Sequence, residues 1–187
     1  MLSRKCDMKM AVFIERDGVL NLARIERQHQ VGPLTLEEFK VGAEVAPSLQ
    51  KLKAGGFLLI ATTNQPGLSR GSQSRRELDR MHEFMRHSLP LDDILVCPHD
   101  GADRCGCRKP SPGLLMEAAF KWQLDLEKSY VISDKWQDAA AARTVGCTSL
   151  LIQSPWIGTS HRDFLLPSLT AAVEKILQLQ TAQHLAA

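Results

Sequence analysis

From residue 10 to residue 152, short apolar runs alternate with amphipathic stretches, and no other feature constrains the fold as tightly. Met10 to Ile14 and Phe57 to Ala61 read as buried strands. Between them Ala46 to Ala54 carries Leu49 and Leu52 at helical spacing and stops at Gly55-Gly56. The pattern recurs as a helix over Ser74 to Ser88, a strand over Ile94 to Val96, a helix over Gly113 to Gln123, a strand over Tyr130 to Ser133, a helix over Trp136 to Val145 and a strand over Ser149 to Ile152. Each helical crossover returns the chain to the same end of the sheet. The expected fold is therefore α/β, a doubly wound, Rossmann-like parallel sheet with helices on both faces. Leu169 to Leu179 reads as a final helix followed by a frayed Ala/Gln-rich tail. Asn21 to Lys40 has no clear period and reads as a loop that covers a site. With 187 residues and no repeat, one domain is expected, its core over about residues 9–153.

In such a sheet ligands gather at the carboxyl ends of the strands. Four polar clusters follow predicted strands: Glu15-Arg16-Asp17-Gly18, Thr63-Asn64-Gln65-Pro66-Gly67, Cys97 to Lys109, and Ser133-Asp134-Lys135. On one rim they would assemble the carboxylates of Glu15, Asp17, Asp134 and Asp138 with the Thr63 hydroxyl and the Lys109 ammonium. Carboxylates so crowded repel unless a cation sits among them, and an all-oxygen set suits Mg²⁺. A hydroxyl, a lysine and glycine-flanked amides beside that cation suit a phosphate. The residues alone thus point to phosphoryl chemistry.

Composition removes other classes. Lys and Arg (23) are interspersed with 21 acidic residues, without the dense basic face that duplex binding needs, so nucleic acid is not the expected partner. No apolar run reaches a membrane span, and the polar stretch Met1 to Lys9 lacks a signal-peptide core, so no membrane and a cytoplasmic location are expected. Cys97, His99, Cys105 and Cys107 supply three thiolates and an imidazole within eleven residues, a closed tetrahedral set for a structural Zn²⁺. The other reading of this stretch is a solvated Cys/His loop without metal. Cys6 and Cys147 are left as ordinary thiols, and His29, His82, His87, His161 and His184 as surface or loop histidines.

Phe13-Ile14-Glu15-Arg16-Asp17-Gly18-Val19, Thr62-Thr63-Asn64-Gln65, Arg108-Lys109-Pro110, and Ser133-Asp134-Lys135 with Asp138 resemble, in order and spacing, the four motifs of the haloacid dehalogenase superfamily. With Thr-Asn-Gln-Pro-Gly and the Cys-x-His…Cys-x-Cys-Arg-Lys-Pro run, the chain is similar to the heptose bisphosphate and histidinol phosphatases of that superfamily, over roughly Lys9 to Ile152. The resemblance implies a monomeric Mg²⁺-dependent phosphatase acting on a small phosphorylated sugar. In that pattern a carboxylate at position 15 attacks phosphorus and Asp17 moves the proton. The carboxylate at 15, the Asp17 carbonyl and Asp134 hold the metal, with Asp138 a possible addition to its shell or simply a charge at a helix N-terminus. Thr63, Asn64 and Lys109 hold the phosphoryl group, and Arg70 and Arg108 anchor the rest of the substrate. The chain departs from the pattern at one point, for Glu15 stands where the family has aspartate. Either a folded-back glutamate supports slow turnover, or the site binds phosphorylated ligands without useful turnover.

Overall fold

The computed structural model describes residues 8–159 and 161–185. Six strands form one parallel sheet: β1 (Ala11–Glu15), β4 (Leu58–Asn64), β5 (Asp93–Cys97), β6 (Tyr130–Ser133), β7 (Thr148–Ile152) and β8 (Phe164–Leu166), in the order β5-β4-β1-β6-β7-β8. The helices are α1 (Val45–Ala54), α2 (Pro66–Ser69), α3 (Arg75–Ser88), α4 (Gly113–Trp122), α5 (Trp136–Val145) and α6 (Leu169–Leu185). The α/β fold with helices on both faces is the one the alternation predicts.

Side chains of β1 show how the two faces are filled. Val12 and Ile14 pack with Leu49 and Leu52 of α1, Leu78 and Met81 of α3 and Val173 and Ile176 of α6. Ala11 and Phe13, pointing the other way, pack with Leu114 and Ala118 of α4 and Ala141 and Ala142 of α5. Successive strand residues face opposite sides, so a strand covered on both must be apolar throughout, and all five residues of β1 are buried. Because β1 is central, its last residue, Glu15, emerges in the middle of the sheet's carboxyl edge, flanked by the ends of β4 and β6.

The structure corrects several expectations. Asn21 to Lys40 contains an antiparallel hairpin, β2 (Arg24–Glu26) with β3 (His29–Val31). The exposed Arg-Ile-Glu strand and the half-buried His-Gln-Val strand, three residues each, are too short for an alternation to be seen in sequence. The expected frayed tail is helical through Leu185, held in part by Gln180 Nε2 donating to the Gly55 carbonyl at 2.8 Å. The sheet runs past residue 153 through β8, which is only partly buried. His82 is not a surface histidine: it is 4% exposed, on the buried side of α3. Cys147 is a buried free thiol, whereas Cys6 and the side chain of His184 lie outside the described residues. Among the described residues no helix is long and apolar enough to cross a membrane.

Candidate active site

All four clusters meet at the carboxyl edge, around a cavity of about 780 Å³ whose lining includes Glu15, Asp17, Asn64, Arg70, Arg108 and Lys109. Glu15 ends β1 and is 3% exposed. One carboxylate oxygen is ion-paired with Lys109 Nζ, and the other accepts from the Asp17 backbone N–H at 3.2 Å and lies 3.8 Å from Lys135 Nζ. Burial works to raise its pKa, but Lys109 and Lys135 outweigh burial and hold it at about 2. Lys109 also donates to Asp138 Oδ1 at 2.6 Å. Burial works against the charge on Lys109, yet Asp138 and Glu15 hold it protonated well above the ordinary lysine range. Asp138 is pushed up to about 6, by burial first, with Lys109 opposing and Glu15 adding to the rise. It is therefore a buried partner of Lys109 rather than an exposed charge at the start of α5.

Asp17 is divided between two tasks. Its main-chain carbonyl accepts from Lys135 Nζ. Its carboxylate turns aside and accepts from Arg16 Nε and Nη2 at 3.0 Å each and from Gln65 Nε2 at 2.8 Å. The same Gln65 nitrogen donates to Thr63 Oγ1 at 2.7 Å. Asn64 brackets Lys109, accepting from its backbone N–H at 3.2 Å and donating to its carbonyl at 3.1 Å. Asp134 Oδ1 accepts from Lys135 Nζ at 2.9 Å and Oδ2 from Gln30 Nε2 at 2.6 Å.

Among the described residues, the side-chain oxygens of Glu15, Asp17 and Asp134 do not all come within 4.8 Å of one another. What converges instead is a carboxylate oxygen of Glu15, the carbonyl of Asp17 and a carboxylate oxygen of Asp134, all directed at the ammonium of Lys135. Oxygens from three residues around one cationic centre are the donor set of a hard divalent ion, so these residues fit Mg²⁺.

The hairpin is the part that sequence reasoning under-read. Residues 29–34 line the cavity, and the hairpin approaches so closely that a Cβ on either Gly18 or Gly32 would force neighbouring side chains to shift. A Cβ on Gly18, whose φ is +99°, would lie 2.1 Å from Gln30 Nε2 and 2.3 Å from Asp134 Oδ2. A Cβ on Gly32 would lie 2.7 Å from the Asp17 carboxylate. The trace this leaves in the sequence is two glycines, Gly18 and Gly32.

Beside the cavity, the ligating atoms of Cys97, His99, Cys105 and Cys107 lie within 4.8 Å of one another, with separations such as 3.6 Å between Sγ of Cys97 and Cys105 and 3.2 Å between His99 Nδ1 and Cys107 Sγ. A tetrahedron with Zn–S bonds of about 2.3 Å has edges of roughly 3.7 Å, so the quartet fits zinc. The loop it closes reaches the cavity through two arginines. Arg70 donates from Nε and Nη2 to Asp100, both at 2.6 Å, and Arg108 Nη1 donates to the His99 carbonyl at 3.1 Å. Cys105→Ser is expected to lower bound zinc from about one equivalent to less than roughly half, read by elemental analysis of purified protein.

A family model described as HAD-hydrolase-like matches residues 106–170. A protein of Haemophilus ducreyi named D-glycero-beta-D-manno-heptose-1,7-bisphosphate 7-phosphatase is 34% identical over 88% of this chain and 97% of its own length. The protein of that name from Rhodopseudomonas palustris is 31% identical over 87% of this chain and 94% of its own. Among solved structures, the D,D-heptose 1.7-bisphosphate phosphatase from B. bronchiseptica complexed with magnesium and phosphate aligns with a TM-score of 0.77 at 27% identity, over 92% of this chain and 99% of that one.

Proposed function

Since the chain belongs to the family of D-glycero-beta-D-manno-heptose-1,7-bisphosphate 7-phosphatases, we propose that it hydrolyses one phosphate monoester of a small sugar bisphosphate, the 7-phosphate of that heptose first among them. The observation that carries this reading is the buried pairing of Glu15 with Lys109 in a cavity that Arg70 and Arg108 also line. The pair suits the phosphoryl group that reacts, and the arginines an anionic or hydroxylated remainder.

A Glu15 oxygen attacks phosphorus, the bond from phosphorus to the ester oxygen breaks, and Asp17 gives that oxygen a proton. Water then attacks the same phosphorus while Asp17 takes its proton, the bond from phosphorus to Glu15 breaks, and phosphate leaves. Lys109 and the Thr63 hydroxyl stabilise charge on the non-bridging oxygens, and Asn64 keeps the Lys109 backbone in place. Mg²⁺ held by Glu15, the Asp17 carbonyl and Asp134 would offset negative charge on the phosphoryl group. Zn²⁺ on Cys97, His99, Cys105 and Cys107 would be structural, fixing the loop to which Arg70 and Arg108 are bonded. The same reading makes the protein a cytoplasmic monomer whose partner is the phosphorylated sugar.

A panel of heptose and hexose bisphosphates and histidinol phosphate, assayed with Mg²⁺ for phosphate release, tests the proposal. The highest kcat/KM is expected on the heptose bisphosphate. Preference for histidinol phosphate, or silence on every ester, would overturn it. Gly32→Ala is expected to slow release by at least about tenfold, because its methyl group displaces the Asp17 carboxylate by a large fraction of an ångström. Steady-state kinetics, with circular dichroism to verify folding, reads this effect.

A further inference from the structure

Among the buried titratable groups that the proposed reaction does not use, one pair touches the machinery. Arg16 has no exposed surface, although a buried guanidinium is costly to desolvate and offers five N–H donors that need partners. Its side chain folds alongside Asp17, giving Nε and Nη2 to the two carboxylate oxygens. Nη1 meets His82 Nε2 at 3.1 Å, and the guanidinium carbon lies 5.9 Å from the centre of the Phe39 ring. A guanidinium can only donate, so Nε2 of His82 must accept. That requires the neutral tautomer carrying its proton on Nδ1. The surroundings enforce neutrality, since burial and the Arg16 charge hold this imidazole at about 3.

Stability alone is a poor reason for such a pair, because apolar side chains of the same volume do as well in a core. A better reason lies in what the pair fixes. Two parallel N–H bonds define the plane of a carboxylate, and a third from Gln65 defines its rotation. Arg16 could itself swing, were its outer nitrogen not tied to α3 by His82 and its face not packed on Phe39. We infer that His82 is a positioning residue for the proposed phosphatase reaction, holding Arg16 so that Arg16 holds the proton-transferring carboxylate of Asp17. The inference rests on the phosphatase reading for its chemistry and on the contacts above for its geometry.

The test compares His82→Leu, which leaves Nη1 without an acceptor, with His82→Gln, whose amide oxygen can stand where Nε2 stands. With heptose bisphosphate and Mg²⁺, His82→Leu is expected to lose about 10- to 100-fold in kcat, as for a carboxylate misplaced by up to roughly an ångström. Its KM should stay within about twofold, since Arg70, Arg108 and Lys109 are untouched, and His82→Gln should recover to within about threefold of the native kcat. A folded His82→Leu protein with native kcat, or equal losses in the Leu and Gln variants, would overturn the inference. If the native chain releases phosphate from no ester, the phosphatase reading has failed, and crystal structures decide the positioning role by themselves. Asp17 displaced from Gln65 in His82→Leu supports it, and Asp17 unmoved refutes it.

Discussion

Glu15→Asp is expected to raise phosphate release from the heptose bisphosphate by about a hundredfold in kcat. In-line attack needs a carboxylate oxygen about 3–3.5 Å from phosphorus. The extra methylene of glutamate carries the carboxylate past that position, onto the Asp17 N–H and Lys109. Lys109 is a donor that the non-bridging phosphoryl oxygens need, so the glutamate competes with its own substrate for it. The side chain has little freedom to withdraw, being 3% exposed and ion-paired with Lys109. Aspartate, one carbon shorter, leaves Lys109 to the substrate, and KM should fall together with the rise in kcat. Phosphate release by both proteins across a substrate titration, with Mg²⁺ constant, reads both parameters. A variant no faster than the native chain would show that position 15 does not limit the reaction. A strongly active variant beside a silent native chain would make this protein a binder of phosphorylated sugars.

How much of this site the sequence disclosed depends on where each contact originates. Residues at strand ends were legible because a parallel sheet puts every carboxyl end on one rim, and the apolar runs locate those ends closely. Thus Glu15 ends β1, Thr63 lies at the end of β4 and Asp134 directly follows β6, as the alternation requires, and β6 and α5 have the predicted bounds. Contacts between side chains distant in sequence were not legible. Nothing in the helical pattern of α3 distinguishes His82 as the residue that faces Arg16, 66 positions away. Asp138 could be read as a metal ligand or a helix charge, and only the position of the Lys109 ammonium identifies its partner. The hairpin escaped for another reason. Its strands are held by its own hydrogen bonds and by contact with Asp134 and Asp17, so they carry no apolar pattern.

The largest loss should follow from Lys109→Met. Glu15 and Asp138 both lean on this ammonium, and all three side chains are at least nine-tenths buried. Removing the cation leaves two buried carboxylates facing each other across an apolar side chain. Breaking a buried pair in this way costs about 3–5 kcal/mol, because Asp138 loses its ion-pair partner and Glu15 keeps only Lys135, at 3.8 Å. Asp138, already pushed up to about 6, should respond by taking a proton at neutral pH, which limits the penalty towards the lower figure. Activity has no such escape, since a donor to the phosphoryl oxygens is gone, and kcat should fall by about 10²- to 10³-fold. The two losses can be separated with Lys109→Met combined with Asp138→Asn, which removes the orphaned charge that Lys109 neutralised. Urea unfolding should show the double variant regaining at least about half of the lost stability, while phosphate release stays as low as in the single variant. Recovery of turnover along with stability would mean that Lys109 serves the fold and not the phosphoryl group.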